Sequence, residues 1–509
     1  MAASLFSVSA VCAIVIVLWF ALRTTRRPVG LPYPPGPKRL PIAGNAFDIN
    51  FKEPYLTYTE WGKIYGDLVY SRIFGQDFLI VNSENTARLL ADQRSSIYSD
   101  RPHSPIYRLF GIHHMTPGLQ YGSEWKTQRK LLHLSLRNDV VDRYRDMHLR
   151  SAHRLLENVR RDSKNFYEHF DLYTGGLALE FTYGRRIEGK EDPIISLANR
   201  LADVMSKGIT GERIGLLTAL PMLTCVPLWF PGAKFQHEAR HCRNLVAAFS
   251  ELPFDAAKKQ AETSGLQPSF VSDILTQCGE DESAAKVTAT GVYLGIFSRS
   301  TISSPLTHIL VLAMILNPGV QDKVHAELDA VVGGGALPTF EDRERLPYLQ
   351  AVLYEVMRWR PAFPLGVPHF TTTSDVFDGY YIPKGAIRGM SNREYSDPER
   401  FDPTRHFDAD GKLKPEAKQN SSKYFGFGRS RACPGRFFAD DALWAATAVI
   451  LSAFRFEKAK DSLGNDIEVV PVFRPGVIRR VTDRAARRGH TSTDHSLVQS
   501  PRSISMFHC

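Results

Sequence analysis

Phe425-Gly426-Phe427-Gly428-Arg429-Ser430-Arg431-Ala432-Cys433-Pro434-Gly435-Arg436-Phe437-Phe438-Ala439 sets a glycine-rich loop, one cysteine and the start of an apolar run in succession. From Phe437 to Ala453 apolar residues recur at i, i+3 and i+4, which predicts a helix directly after the cysteine. A thiolate at the N-terminal end of a helix is stabilised by backbone N–H groups and the helix dipole, so its pKa falls and it persists as an iron ligand. Glycines in the loop let the backbone approach a flat macrocycle closely. On these residues alone two readings stay open: a metal-binding thiolate, or a structural cysteine buried in a glycine-rich turn.

Working outward, the six cysteines (Cys12, Cys225, Cys242, Cys278, Cys433 and Cys509) are scattered, with no C-x-x-C pair and no zinc-like grouping with histidine. That spacing argues against a disulfide framework, fits a reducing compartment and leaves any functional cysteine solitary. The 509 residues are 43% hydrophobic and 23% charged, an ordinary globular balance. The formal charge is +9, but Lys and Arg are dispersed and no basic run alternates with aromatics, so nucleic acid is not an expected partner. The charge suits an anionic membrane surface or an acidic protein.

The run Leu5 to Leu22 is apolar except for Ser7 and Ser9; at about 1.5 Å per residue it reaches roughly 27 Å, enough for a thin bilayer. Arg23, Arg26 and Arg27 follow, which predicts a single-pass anchor over 1–26 with the rest of the chain cytosolic. Residues 27–48, with Pro32, Pro34, Pro35 and Pro37, read as a stiff extended spacer. A catalytic body is expected over 49–480, and a basic, disordered tail over 481–509. Asp67 to Ile73 and Phe78 to Val81 read as a hairpin around Phe74-Gly75-Gln76-Asp77. Helical periodicity marks Val140 to Val159, Ala284 to Leu316, Val320 to Val332 and Leu346 to Trp359, and more weakly Leu245 to Glu262, which Pro253 interrupts. Without repeats or strand-helix alternation, the expected fold class is mainly α with small peripheral β-sheets.

Two further spacings carry chemistry. Glu355-x-x-Arg358 puts a carboxylate and a guanidinium on one helix face, a pattern that on its own is most often a solvated surface pair. Trp125-x-x-x-Arg129 sets an indole donor and a cation one turn apart.

Together, in this order, the Trp125 and Glu355 motifs, Arg360-Pro361, Asp397-Pro398-Glu399-Arg400-Phe401 and the cysteine loop resemble the cytochrome P450 family, over about residues 30 to 478. The loop is similar to the family's F-x-x-G-x-R-x-C-x-G, with Phe425 and Gly428 each one position farther from the cysteine. The resemblance implies the cytochrome P450 fold and haem b as cofactor. Cys433 would be the axial ligand, and Trp125, Arg129, His369 and Arg431 the donors to the haem propionates. Glu355, Arg358 and Arg400 would form a buried structural network. Thr301 would be the catalytic hydroxyl beside bound dioxygen, although Arg299 and Phe297 stand where the family has an acid and a glycine. Pro305, lacking the N–H that would bond the Thr301 carbonyl, is expected to kink that helix and open an oxygen groove.

The implied activity is insertion of one oxygen atom from O2 into a lipophilic small molecule at the endoplasmic reticulum membrane, in specialised or xenobiotic metabolism of fungal type. No G-x-G-x-x-G fingerprint follows a strand, so electrons would come from an NADPH-cytochrome P450 reductase, with cytochrome b5 as an additional donor. Two alternatives remain from the departures: a catalytically impaired haem-thiolate ligand-binding protein, and a reductase-independent isomerase or dehydratase.

Overall fold

A computed structural model describes residues 30–481 and 498–499, apart from 188, 190, 210, 265–267, 279–281, 298–302, 334, 391–396, 428–430 and 475–478. Its principal helices are α1 (Pro54–Tyr65), α2 (Ser123–Leu136), α3 (Arg145–Arg161), α4 (Phe166–Tyr183), α5 (Pro193–Gly208), α6 (Lys234–Ser264), α7 (Glu282–Phe297), α8 (Ser303–Leu316), α9 (Pro318–Val332), α10 (Pro347–Trp359) and α11 (Arg436–Ala453). One four-stranded sheet runs β1-β2-β4-β3, where β1 is Leu68–Ile73, β2 Gln76–Val81, β3 His369–Phe370 and β4 Ile387–Met390. The mainly-α class with small sheets is therefore as the periodicities predict.

Local chemistry explains where the key helices start and stop. The Glu327 carboxylate of α9 accepts the amides of Tyr348 (2.7 Å) and Leu349 (2.9 Å), capping α10 at its positive end. Pro361 follows Arg360 and disfavours helical geometry there. Every residue from Leu349 to Trp359 is buried, so α10 is enclosed on all sides rather than half-solvated. Helix α4 ends at Gly184, whose φ of 70° supplies the left-handed residue that such a terminus favours.

Helix α11 is also enclosed, packing on α3, α8, α9 and α10. Phe438 in its first turn is 2% exposed, its ring 4.5 Å from both Phe181 and His148. Phe438→Ala should cost about 3–5 kcal/mol through the cavity it leaves, measured as a lowered urea midpoint with unchanged slope.

Several expectations are corrected. The hairpin turn is two residues, Phe74 (φ 44°) and Gly75 (φ 80°), the left-handed pair that a tight hairpin selects. Gln76 and Asp77 belong to β2, and buried Asp77 accepts from Tyr70 (2.5 Å) and pairs with Arg72 (3.3 Å). Helix α6 runs through Pro253 without interruption. Phe249 and Phe254 flank that proline fully buried, and their packing offsets the roughly 3 kcal/mol that an interior proline costs. Within Ala284 to Leu316 the described residues form α7 and α8, and residues 298–302 between them lie outside the described residues. Pro305 lies in α8, and the kink expected at the Thr301 carbonyl falls outside the described residues.

The proline stretch is docked rather than a free spacer. The Pro35 carbonyl accepts from the Tyr70 amide (2.9 Å) and Pro32 from Tyr381 (2.7 Å), and Tyr33 stacks on Tyr70 at 4.5 Å. A Cβ at Gly36 would lie 1.9 Å from the Tyr70 carbonyl oxygen, so only glycine fits. Within the expected disordered tail, Val498–Gln499 pairs antiparallel with Arg455–Phe456. Among the described residues no helix is long and apolar enough to cross a membrane; the anchor expected over 1–26 lies outside them.

Candidate active site

Cys433 sits two residues before the N-cap Gly435 of α11. Its amide donates to the Phe425 carbonyl (2.8 Å), and its carbonyl accepts from Arg436 Nη1 (3.3 Å). Gly426, with φ of 98°, turns the loop back toward the cysteine. Burial pushes the Cys433 thiol up, while the Gly435 N–H and the charges of Arg129 and Arg436 act to lower it. Coordination to a metal cation deprotonates a thiol in such a place. Among the described residues no three His, Cys, Asp or Glu side chains converge on a metal position.

Around that sulfur the structure brings together the other expected cofactor residues. Arg431 lies over the Trp125 ring (4.4 Å to the centroid), donates to the Leu119 carbonyl (2.9 Å) and meets Asp100 (3.3 Å). Arg129, one turn after Trp125, donates to the Ala432 carbonyl (3.0 Å) beside the cysteine. His369 on β3 is buried, with Nδ1 lacking a hydrogen-bond partner among the described residues. Burial and the charges of Arg101, Arg388 and Arg431 hold its imidazole well below its ordinary pKa, and therefore neutral.

Arg101 and Arg388 are two cations that the sequence reading missed. Both are buried. Arg101 donates to the carbonyls of Val367 (2.9 Å) and Pro368 (2.7 Å), and Arg388 is the cross-strand partner of His369. Desolvation, the largest influence in each case, lowers Arg101 to about 9 and Arg388 and Arg431 to about 10. Grouping desolvated guanidinium groups is costly unless anions join them. The orphaned His369 Nδ1, together with the unpartnered Nε atoms of Arg101 and Arg431, fits a flat group that carries carboxylates, such as a haem with its two propionates. In sequence, only an arginine inside an otherwise apolar strand (Ile387-Arg388-Gly389-Met390) hinted at this.

The Glu355-Arg358 pair is deeply buried, not a surface pair: Arg358 Nε and Nη2 donate to the Glu355 carboxylate at 2.7 and 2.9 Å, with side chains 3% and 0% exposed. Arg358 also donates to the carbonyls of Pro398 and Arg400, both at 2.9 Å. Glu355 additionally accepts from Arg405 Nε (3.1 Å) and the Asp402 amide (2.7 Å), and lies 3.2 Å from His406 Nε2. The expected third member, Arg400, contributes only its backbone: its side chain is 69% exposed and faces Asp402 at 3.8 Å. Arg405 takes that role, and His406 joins it. The chain holds Pro398-Glu399-Arg400 and Pro403-Thr404-Arg405 in tandem, and only the turn Pro403–His406, packed on α10, selects the second. Burial pushes the Glu355 carboxyl up, but the bonds from His406 and Arg358 and the Arg358 charge outweigh it, so its pKa stays below the ordinary value. Thr301, with Arg299 beside it, lies outside the described residues.

A family model described as Cytochrome P450 matches residues 34–473. The chain is similar to "Cytochrome P450 monooxygenase COX2" of Coprinopsis cinerea, 34% identical over 91% of this chain and 89% of that protein. It is 36% identical to "Cytochrome P450 monooxygenase ARMGADRAFT_974139" of Armillaria gallica over 92% and 93% of the two chains. It is also 36% identical to "Cytochrome P450 monooxygenase ple1" of Rhodocybe pseudopiperita over 88% and 87%.

Proposed function

The chain belongs to the cytochrome P450 family of haem-dependent monooxygenases, and from that premise we propose that it oxidises a lipophilic small molecule, by hydroxylation or epoxidation, with electrons from an NADPH-dependent reductase. The observation that carries this reading is Cys433 at the head of α11, two residues from buried Arg431, which stacks on Trp125 and pairs with Asp100, and next to the Ala432 carbonyl that Arg129 holds. Cys433 would be the thiolate ligand of a haem bound there, and that group would supply dioxygen activation.

The protein's own part is to hold, orient and exclude. Arg101, Arg129, Arg431 and neutral His369 would hold the propionates of haem b, and Trp125 stiffens Arg431 by stacking. The Gly435 N–H and the start of α11 orient and stabilise the sulfur. Thr301 Oγ1 is assigned the hydroxyl that passes a proton at the reacting centre. The apolar run 5–22 supports a single-pass anchor in the endoplasmic reticulum membrane, where reductase and cytochrome b5 would meet the body. The motif order and the fungal relatives support a place in specialised or xenobiotic metabolism.

Two measurements test this. The dithionite-reduced protein should give the carbon monoxide spectrum of thiolate-ligated haem. With reductase, NADPH and O2, a lipophilic substrate should gain one oxygen atom, traced with labelled O2. Turnover of substrate that needs no NADPH would instead point to an isomerase or dehydratase.

A further inference from the structure

A cavity of about 760 Å³ opens among loop residues 102–125, Thr224 and Arg243, a volume that suits a small-molecule ligand. Its lining includes the apolar residues Pro102, Pro105, Leu109, Leu119 and Trp125. Leu119 and Trp125 are both buried there, and both touch Arg431, one through its carbonyl and the other through its ring.

The rim differs in character. Arg108 and Arg243 are exposed on it, and neither meets a carboxylate among the described residues. Glu124 is the carboxylate of the lining, and His114 already holds it at 2.9 Å. Arg243 is fixed in place: one guanidinium nitrogen donates to the Leu109 carbonyl, and its stem crosses Gly111 so closely that a Cβ there would stand 2.9 Å from Arg243 Cγ. The φ of 78° at Gly111 likewise demands glycine. His113 adds to the same lining a buried Nδ1 that has no hydrogen-bond partner among the described residues.

Unmatched guanidinium groups at the mouth of an apolar cavity fit an amphiphile with an anionic head, and a guanidinium fork matches a planar carboxylate through two parallel hydrogen bonds. We propose that this vestibule selects lipophilic carboxylic acids, with Arg108 and Arg243 holding the carboxylate at the rim and the hydrocarbon lying along Leu119 and Trp125. The proposal names a substrate class for the monooxygenase reading above and rests on it.

The test uses the ferric holoprotein with dodecanoic acid and methyl dodecanoate as probes. The acid should shift the haem spectrum toward high spin with an affinity at least about tenfold above that of the ester. The double variant Arg108→Gln, Arg243→Gln should erase that preference and leave the ester's affinity unchanged. Equal affinity for acid and ester in the parent protein, or a double variant that keeps the preference, overturns the proposal. If the parent gives no thiolate carbon monoxide spectrum, the haem-thiolate reading fails instead. Calorimetric titration with the same two probes then decides the vestibule proposal on its own, by the same criterion.

Discussion

Cys433→Ser protein should lose the thiolate carbon monoxide spectrum, and its turnover should fall by far more than the 10–100-fold typical of losing a metal's outer-shell partner. Sulfur at this position is positioned by the Cys433 amide on Phe425 and by the N-terminus of α11. Serine preserves those backbone contacts and the side chain's rough size. Folding stability, read by urea unfolding of the apoprotein, should therefore change little while the optical signature changes completely. A serine variant that kept the parent's spectrum would remove the basis for every chemical statement made about this site.

Removing Glu355 should have the next largest effect. Glu355→Ala would remove the buried carboxylate that Arg358, Arg405 and His406 share. Breaking a buried pair in this way costs about 3–5 kcal/mol, a large share of the roughly 5–15 kcal/mol that holds a typical protein folded. The expected result is protein that fails to retain haem, measured as the ratio of haem to polypeptide after purification. Arg405→Ala should behave likewise, whereas Arg400→Ala, at an exposed side chain, should stay within about 0.5 kcal/mol of the parent. The reverse order for the two arginines would contradict the network described here.

Acid should act on the same network. The Glu355 pKa is lowered in the folded protein, so its stabilisation is fully present above the ordinary glutamate range and is lost as pH falls through the folded value. The parent should release haem on acidification below that range. Glu355→Gln, measured by the same haem-release titration, should show a flatter profile there.

The features readable in advance were those set by short spacing. The period of apolar residues located α3, α9, α10 and α11 within a few residues, because burial of one helix face repeats every three to four positions whatever lies against it. Trp125 and Arg129, Glu355 and Arg358, and Arg431 and Cys433 are each within four residues of one another, so local geometry alone makes them neighbours.

The long-range contacts were not readable. Arg405 lies 50 residues from Glu355 and Arg431 lies 312 from Leu119. Choosing Arg405 over Arg400 required knowing which of two similar turns packs on α10. Arg101 and Arg388 join the cradle only because the sheet aligns His369 with Arg388 and the loop after Tyr98 runs past β3. The helical class and the place of Cys433 just ahead of α11 could be read from the chain alone, since both follow from periods and spacings shorter than one element. Tertiary structure alone decided which charges share a buried space, since desolvation and pairing act between segments that spacing along the chain does not relate.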